Sequence, residues 1–168
     1  MASRDVDDRV ERLIEMNAHA LLAFFMRRTA QPEDAADLLG DTLLVIWRKA
    51  RSLPADDGEA RMWMFGVARN VLSTQRRGQR RRDALQERLR SELSVVTIRQ
   101  GDDHPELGVA LSRLDPLDQE IIRLVHWDGF TQVQAAHLLD IEEGTVRSRH
   151  HRARQRLRSL LDGSTTSS

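Results

Sequence analysis

The feature that most constrains the fold of this chain is one amphipathic helical pattern near its C-terminal end, Glu142 to Leu160. At about 100° per residue, a single apolar stripe is formed by Val146, Ala153, Leu157 and Leu160. The other side is polar, with six arginines and no carboxylate from Arg147 to Arg158. Such a face cannot neutralise itself through i,i+4 ion pairs. The pattern predicts a helix that packs on one side and meets an external polyanion on the other.

Composition restricts the class of protein to which this helix can belong. The 168 residues suffice for one ordinary domain or for two small helical domains. Cysteine is absent, which excludes disulfides, thiolate zinc sites and a cysteine nucleophile. No apolar run approaches the roughly 20 residues of a membrane span, and the first residues lack the apolar core of a signal peptide. We therefore expect an all-α, soluble, cytoplasmic protein without a cofactor or bound metal.

Charge is segregated along the chain although the formal net charge is zero. Residues 1–60 and 100–145 are acidic, whereas residues 61–99 and 146–168 are basic. A single basic run can be a solvated surface, but the alternation of two basic blocks with two acidic ones is more informative than the net charge.

The N-terminal part predicts two helices, one over Asn17 to Thr29 and one from Glu33 to about Arg51. In the second helix, the face predicted to be core comprises Leu39, Leu43, Ile46, Trp47 and Ala50. The opposite face carries Asp37, Asp41, Leu44 and Arg48. No further ligand-type side chain joins the two carboxylates at metal-ligand spacing. This face therefore indicates protein docking or plain solvation rather than catalysis.

A third helix is predicted from Arg61 to about Arg77, after a loop over Ser52 to Ala60 that contains proline and glycine. Its buried side is predicted to be Met64, Ala68, Val71 and Leu72. Its other side carries Trp63, Asn70, Ser73 and Arg77, and the basic run from Arg76 to Arg82 follows. An aromatic ring, an amide, a hydroxyl and a cation suit single-stranded nucleic acid. The alternative is that Trp63 is a partly buried core residue.

The C-terminal part predicts a helix-turn-helix. A linker or extended segment over Ser94 to Pro105 precedes helices over Glu106 to Leu114, Pro116 to about Trp127, and Thr131 to Leu139. Asp115 and Thr131 occupy N-cap positions, and Gly129 lies between helices. The break from Asp140 to Gly144 then leads into the arginine-rich helix, an order typical of helix-turn-helix DNA-binding domains.

Two stretches resemble bacterial RNA polymerase sigma factors. The stretch AADLLGDTLLVIWRKA, with RMWMFGVARNVLSTQRR after it, looks like the second conserved domain of that family. The stretch ALSRLDPLDQEIIRL, with WDGFTQVQAAHLLDIEEGTVRSRHHRARQRLRSLL after it, looks like the fourth. Two such domains joined only by a linker resemble the extracytoplasmic-function, or group-four, sigma factors.

The resemblance implies an alternative sigma factor that melts promoters and is not an enzyme. It implies polymerase contacts by Asp37, Asp41, Leu44 and Arg48. It implies that the loop Ser52 to Ala60 and the face bearing Trp63, Asn70 and Ser73 capture an unpaired base of the −10 element. Arg76 and Arg77 are then candidates for contacts with its phosphates. It implies −35 element contacts by Thr145, Arg147, Ser148, His151 and Arg152, with Thr145 near the phosphates. The implied partners are core RNA polymerase, promoter DNA and an anti-sigma factor, and the free chain is expected to be a monomer.

The domains expected on this basis are two small helical bodies joined by a flexible linker. They comprise residues 1–82 and 106–162, with a linker over 83–105 and a disordered tail over 163–168. Two other readings stay open at this stage. One is a dimeric helix-turn-helix regulator, which leaves the Asn70 face unexplained. The other is a small helical enzyme that would need His19 or His126 near Asp37 and Asp41.

The chain departs from the family pattern at several positions. Gly40 stands inside a helix where glutamine is usual. Gln132, Gln134 and Ala135 replace common tyrosine, glutamate and isoleucine residues. Glu142 replaces a serine cap, and His151 replaces an apolar or aromatic residue, so the preferred −35 bases cannot be copied from relatives. The adjacent His150 is predicted to pack, because neighbouring helical residues point about 100° apart and cannot chelate one metal together.

Overall fold

A computed structural model describes residues 2–89 and 104–165, and all regular structure within these ranges is helical. The chain divides into two compact units, Met1–Gln100 and Gly101–Ser168. The N-terminal unit contains α1 (Ala2–Met26), α2 (Pro32–Arg48), a 3₁₀ turn (Ala50–Ser52) and α3 (Asp57–Leu89). The C-terminal unit contains α4 (Pro105–Ser112), α5 (Pro116–His126), α6 (Gln132–Leu139) and α7 (Glu143–Thr165). None of these helices is long and apolar enough to cross a membrane.

Aromatic packing between α1 and α3 forms the centre of the N-terminal core. Phe24, Phe25 and Phe65 are completely buried. The Phe24 ring meets the other two edge to face, with ring centres 5.3 Å and 5.5 Å away, an arrangement that aligns ring edges with ring faces. The Arg28 guanidinium lies 3.7 Å from the centre of the Phe24 ring and donates a hydrogen bond to the Phe24 carbonyl oxygen. The Arg28 guanidinium therefore covers one side of this aromatic core.

Helix α2 buries a different stripe from the one its periodicity predicts. The buried positions are Ala35, Leu38, Thr42 and Ile46. Of the predicted core residues only Ile46 is fully buried; Leu39, Leu43 and Ala50 are half-buried, and Trp47 is 49% exposed. The prediction was wrong because apolar residues occur on nearly every side of α2, so their spacing does not select one face. Packing against α1 and α3 selects the stripe with small residues at Ala35 and Thr42.

Helix α3 is longer at both ends than the sequence predicts. A carboxylate oxygen of Asp56 accepts a hydrogen bond from the Glu59 backbone N–H at 2.9 Å, so the helix begins at Asp57 within the predicted loop. Arg9 donates to the Ala55 carbonyl oxygen at 2.8 Å and to the Asp57 carboxylate at 3.0 Å, which ties α1 to this entry. The helix continues to Leu89, into the stretch predicted as linker, and residues 90–103 lie outside the described range.

Helix α7 is the centre of the C-terminal unit and packs against α4, α5 and α6. Its predicted stripe is confirmed: Val146, Ala153 and Leu157 are at most 9% exposed, and Leu160 packs at the margin. The apolar cluster around it comprises Leu107, Ala110, Leu111, Leu114, Ile122 and Leu161. The helix extends to Thr165, so the first part of the predicted disordered tail is helical, and residues 166–168 lie outside the description.

Replacing Phe24 by alanine should destabilise the N-terminal unit by about 3–5 kcal/mol, because it leaves a cavity between two buried rings. Urea denaturation followed by tryptophan fluorescence measures this change. The matched control is Met26→Ala on the same helix, where the side chain is 47% exposed and the expected cost is below about 1 kcal/mol. Equal losses in the two variants would contradict the assigned core.

Candidate functional site

The outward face of α7 carries the residues predicted to read DNA, and all of them are exposed: Thr145, Arg147, Ser148, His151 and Arg152. They lie opposite the buried Val146, His150 and Ala153. The Ser148 hydroxyl donates to the Thr145 carbonyl oxygen at 3.2 Å, and Arg152 Nε approaches the Ser148 carbonyl oxygen at 3.4 Å. These bonds run along the helix surface and keep the polar groups on one exposed strip.

The cap of α6 fixes the helix that precedes this strip. The Thr131 hydroxyl accepts a hydrogen bond from the Gln134 N–H at 3.1 Å, and the Gln134 side-chain oxygen accepts one from the Thr131 N–H at 2.9 Å. This reciprocal capping box satisfies two backbone donors that the helix itself leaves unpaired. The predicted caps at Thr131 and Asp115 are confirmed. Gln134, a departure from the family pattern, is therefore a functioning cap partner.

The turn between α6 and α7 is held by backbone hydrogen bonds. Asp140 has a left-handed backbone with φ of 53°, which aspartate tolerates better than most side chains. Its N–H donates to the His137 carbonyl oxygen at 3.2 Å, and the Ile141 N–H donates to the Ala136 carbonyl oxygen at 3.1 Å. These bonds cap the C-terminal end of α6. The short connection places α6 and α7 in a helix-turn-helix arrangement.

Arg149 is an exception among the six arginines of α7. Its Nη1 donates to the Asp118 carboxylate at 2.7 Å and lies 3.5 Å from the Asp115 carboxylate, both on the adjoining α5 region. The hydrogen bond with Asp118 raises the pKa of Arg149. No carboxylate lies between Arg147 and Arg158 in the sequence, so i,i+4 ion pairs are excluded there, but Arg149 finds a carboxylate on another helix. The pair instead anchors the start of α7 to α5.

The second predicted nucleic-acid face lies on α3. Asn70, Ser73 and Arg77 are exposed, and Trp63 is half-buried. Arg76 is exposed but donates a hydrogen bond to the Arg28 carbonyl oxygen at 3.1 Å, which fastens α3 to the end of α1. The structure therefore places all five predicted residues on α3. One of them, Arg76, also stabilises the packing of α3 against the end of α1.

The predicted protein-docking residues of α2 border an open groove of about 790 Å³. Its lining comprises Ile14, Ala36, Asp37, Gly40, Asp41, Leu43, Leu44 and Trp47. Arg48 is exposed but is not among the lining residues. Leu44 is 55% exposed and Trp47 is 49% exposed. Trp47 was predicted to be a core residue, because an aromatic side chain at helical spacing usually indicates burial. Its place at the surface was therefore not predicted.

Glycine at position 40 leaves the groove open. A Cβ added at Gly40 would meet nothing within 4 Å. The position is therefore not a point of close packing, and its effect is on helix propensity and on the depth of the groove.

The two adjacent histidines of α7 lie in different environments. His151 is exposed, whereas His150 is 6% exposed, as predicted for a packing residue. The sequence analysis missed the contact that His150 makes: its Nε2 lies 2.9 Å from Nε2 of His126. Across residues 2–89 and 104–165, no three histidine or carboxylate side chains are grouped so as to hold a metal ion.

Comparison with known proteins identifies both units. The model of sigma-70 region 2 matches residues 13–82, and the model of sigma-70 region 4 matches residues 110–159. The chain is 29% identical to the extracytoplasmic-function RNA polymerase sigma factor SigL of Mycobacterium tuberculosis, covering 89% of this chain and 86% of SigL. It is 28% identical to an RNA polymerase sigma-E factor of Streptomyces avermitilis, covering 90% of this chain and 84% of that protein.

A solved structure is similar over nearly the whole chain. It is the sigma factor RpoE of Bartonella quintana in complex with the anti-sigma factor NepR. The TM-score is 0.72 at 28% identity, covering 90% of this chain and 96% of the RpoE chain. The similarity therefore includes both helical units.

Removing the cap hydroxyl in Thr131→Ala should lower the stability of the C-terminal unit by about 0.5–2 kcal/mol, because the Gln134 backbone N–H loses its acceptor. Amide hydrogen exchange of α6 measures the change. Ser159→Ala removes a hydroxyl from an exposed position of α7 and should leave exchange unaltered. Faster exchange in both variants would show that the capping box has no specific role.

Proposed function

The chain belongs to the extracytoplasmic-function sigma factors of bacterial RNA polymerase, which act in transcription initiation, and we propose that it directs core polymerase to promoters and promotes melting of the −10 element. In this role it is a binding subunit and catalyses no reaction itself. The observation that carries the proposal is the outward strip of α7, a basic surface on a helix whose other face is the core of its unit.

The α7 strip is proposed to read the −35 element in the major groove. The major groove of DNA admits an α-helix, and arginine can bond both acceptors of a guanine edge. Arg147 and Arg152 are exposed and lie on the same strip as the shorter Ser148. Thr145, in the first turn, is proposed to lie near the phosphates, where helix N-termini bind anions. His151 gives the strip a second donor or acceptor for base edges.

The α3 face is proposed to hold an unpaired base of the −10 element. Extruding a base costs a few kcal/mol, and stacking with hydrogen bonding offsets this cost. Trp63 supplies a half-buried aromatic ring, and Asn70 and Ser73 supply polar groups at exposed positions. For phosphate contact, Arg77 is the stronger candidate, because Arg76 already donates to the Arg28 carbonyl oxygen.

The α2 groove is proposed to bind core polymerase. Two carboxylates, Asp37 and Asp41, stand beside the exposed apolar side chains of Leu44 and Trp47. An acidic rim around apolar side chains fits a partner helix with basic and apolar residues. Arg48 extends the same surface outside the groove. We further propose that an anti-sigma partner, like the one bound to the similar RpoE of Bartonella quintana, competes for such exposed surfaces.

Co-purification with core polymerase followed by run-off transcription tests the proposed function. The chain should bind core enzyme and yield promoter-specific transcripts that core enzyme alone does not give. Tight binding of the chain alone to palindromic duplex DNA as a dimer, without any transcript, would instead support the helix-turn-helix regulator. A panel of promoter fragments from the source genome supplies the templates.

Replacing Arg152 by alanine should weaken binding to the −35 element by about 1–3 kcal/mol, because one bidentate base contact is lost. Fluorescence anisotropy of the holoenzyme on matched and scrambled −35 duplexes measures the loss. Arg156→Ala, the same charge change at an exposed position of α7 outside the strip, is the matched control. Equal loss on both duplexes would assign Arg152 to phosphate contact.

Reversing the charge of Asp41 to arginine should weaken binding to core polymerase at least about tenfold, or about 1.4 kcal/mol, through like-charge repulsion at the groove. Surface plasmon resonance with immobilised core enzyme measures the affinity. Glu33→Arg makes the same reversal at the exposed start of α2, away from the groove. If Asp41→Arg binds core enzyme as the parent does, this face does not dock.

A further inference from the structure

A continuous chain of side-chain contacts joins three helices of the C-terminal unit behind the α7 strip. His150 of α7 is 6% exposed. Its Nε2 lies 2.9 Å from Nε2 of His126, the last residue of α5, and its Nδ1 lies 3.1 Å from the Gln132 side-chain nitrogen at the start of α6. The two rings are nearly parallel, with planes inclined by 14° and centres 5.1 Å apart, and they meet through their facing nitrogens. We call these three residues the imidazole clasp.

The number of protons decides whether this clasp holds. A hydrogen bond between two imidazole nitrogens needs one hydrogen between them. With both rings neutral, one Nε2 donates and the other accepts, and the Gln132 amide can offer Nδ1 of His150 either its NH₂ group or its oxygen. With one added proton, the protonated ring donates from its Nε2 and the neutral ring accepts, so the contact between the rings is kept. A second proton places hydrogens on both facing nitrogens, so no acceptor is left between them.

The charged groups around the clasp oppose protonation. Desolvation and then the charge of Arg154 lower the pKa of His126. Desolvation and then the charges of His126, Arg154 and His151 lower the pKa of His150. From α6 the clasp meets the neutral Gln132, and on the side of α4 the groove beside His126 is lined by Leu107. The nearby carboxylates Asp115 and Asp118 bind Arg149.

The described part of the same unit contains other carboxylates besides Asp115 and Asp118. Asp162 lines the groove beside His126 together with Arg154 and Arg158. Asp128 follows α5 and is 5% exposed. Burial, and after it the cationic charge of Arg154 on α7, disfavour the protonated forms of both rings.

The position of His150 connects the clasp to recognition. It lies between Arg149, which is anchored to Asp118, and His151, which belongs to the exposed strip. The clasp therefore restrains the rotation of α7 within the stretch that carries the strip, through contacts with both α5 and α6. Losing the contact between the rings frees this part of α7 to move relative to the two supporting helices.

We propose that the imidazole clasp is a proton-sensitive positioning device that holds the recognition helix α7 in place until the pair takes up a second proton. His126, Gln132 and His150 are positioning residues in this sense and do not themselves contact DNA. Only the consequence for −35 binding rests on the function proposed above. The clasp itself is a property of the free chain.

The direction of the pH effect follows from the lowered pKa values. In the unfolded chain both histidines take protons at their ordinary pKa of 6.5, whereas in the folded unit they take them only at lower pH. The unfolded state therefore binds more protons in this window, so the stability contributed by the clasp is complete above about pH 6.5 and is lost as the pH falls through the folded pKa values.

The first experiment uses the full chain without polymerase or DNA. NMR titration of the histidine rings between about pH 7.5 and pH 5.0 should give lowered pKa values for His126 and His150, with the two titrations coupled. Amide exchange, corrected for the intrinsic effect of pH, should show loss of protection in α7 over the same range. Two independent titrations at or above 6.5 would overturn the proposal.

The second experiment compares variants that cannot titrate. The double variant His126→Gln, His150→Gln should lose the pH dependence of α7 protection, and His137→Gln, at an exposed position of α6, should retain it. If α7 protection in the double variant depended on pH as it does in the parent chain, the clasp would not be the source of that pH dependence. The ring titration of the unaltered chain decides the matter if the double variant fails to fold.

A third measurement separates the clasp from the proposed function. Holoenzyme binding to matched and scrambled −35 duplexes is measured at the upper and lower ends of the pH range of the first experiment. At low pH the matched duplex should show a selective loss of binding, and this loss should be absent in the double variant. If the rings titrate and α7 loosens as expected but the matched duplex is unaffected, the clasp stands and the assignment of α7 to the −35 element fails.

Discussion

Burial of one side of α7 is the constraint on which the C-terminal unit depends. Val146, Ala153 and Leu157 are enclosed by α4, α5 and α6, so the helix that offers the exposed polar strip is also the central element of the core. A binding surface carried by a core helix is positioned by packing rather than by loops. The Arg149 to Asp118 ion pair and the imidazole clasp add polar contacts at the edges of that packing. Rotation of α7 is therefore limited from several sides.

The N-terminal unit uses its apolar residues differently. Small and medium side chains of α2, Ala35 and Thr42 among them, are buried where α2 packs against α1 and α3. Larger apolar groups, Leu44 and Trp47, stay at the surface around the two carboxylates of the groove. Exposing large apolar side chains next to each other costs solvation, and it is typical of surfaces that a partner covers. Sigma factors bind core polymerase, so the family relationship supports the proposal that this groove is a polymerase-binding surface.

Local signals in the sequence were sufficient for the helix-turn-helix and insufficient for α2. The stripe of α7 and the caps at Asp115 and Thr131 depend on residues within a few positions of each other, so spacing alone predicts them. In α2 apolar residues surround the helix, and tertiary packing decides which are buried. The His126 to His150 and Arg149 to Asp118 contacts join residues 24 and 31 positions apart. Helical periodicity relates only residues a few positions apart, so it does not predict these contacts. The roles of the site residues came from the family resemblance.

The division into two units affects how the recognition strip can be regulated. A sigma factor attached to polymerase through one unit holds its other unit at a high effective concentration near DNA, so α7 needs only modest affinity of its own. Modest affinity makes promoter choice sensitive to small displacements of α7, since a misplaced bidentate contact loses much of its strength. The clasp residues lie on α5, α6 and α7, whereas the acidic groove lies in the N-terminal unit. Protonation of the clasp would therefore alter the proposed −35 contacts of α7 while leaving the α2 groove, the proposed polymerase-binding surface, intact.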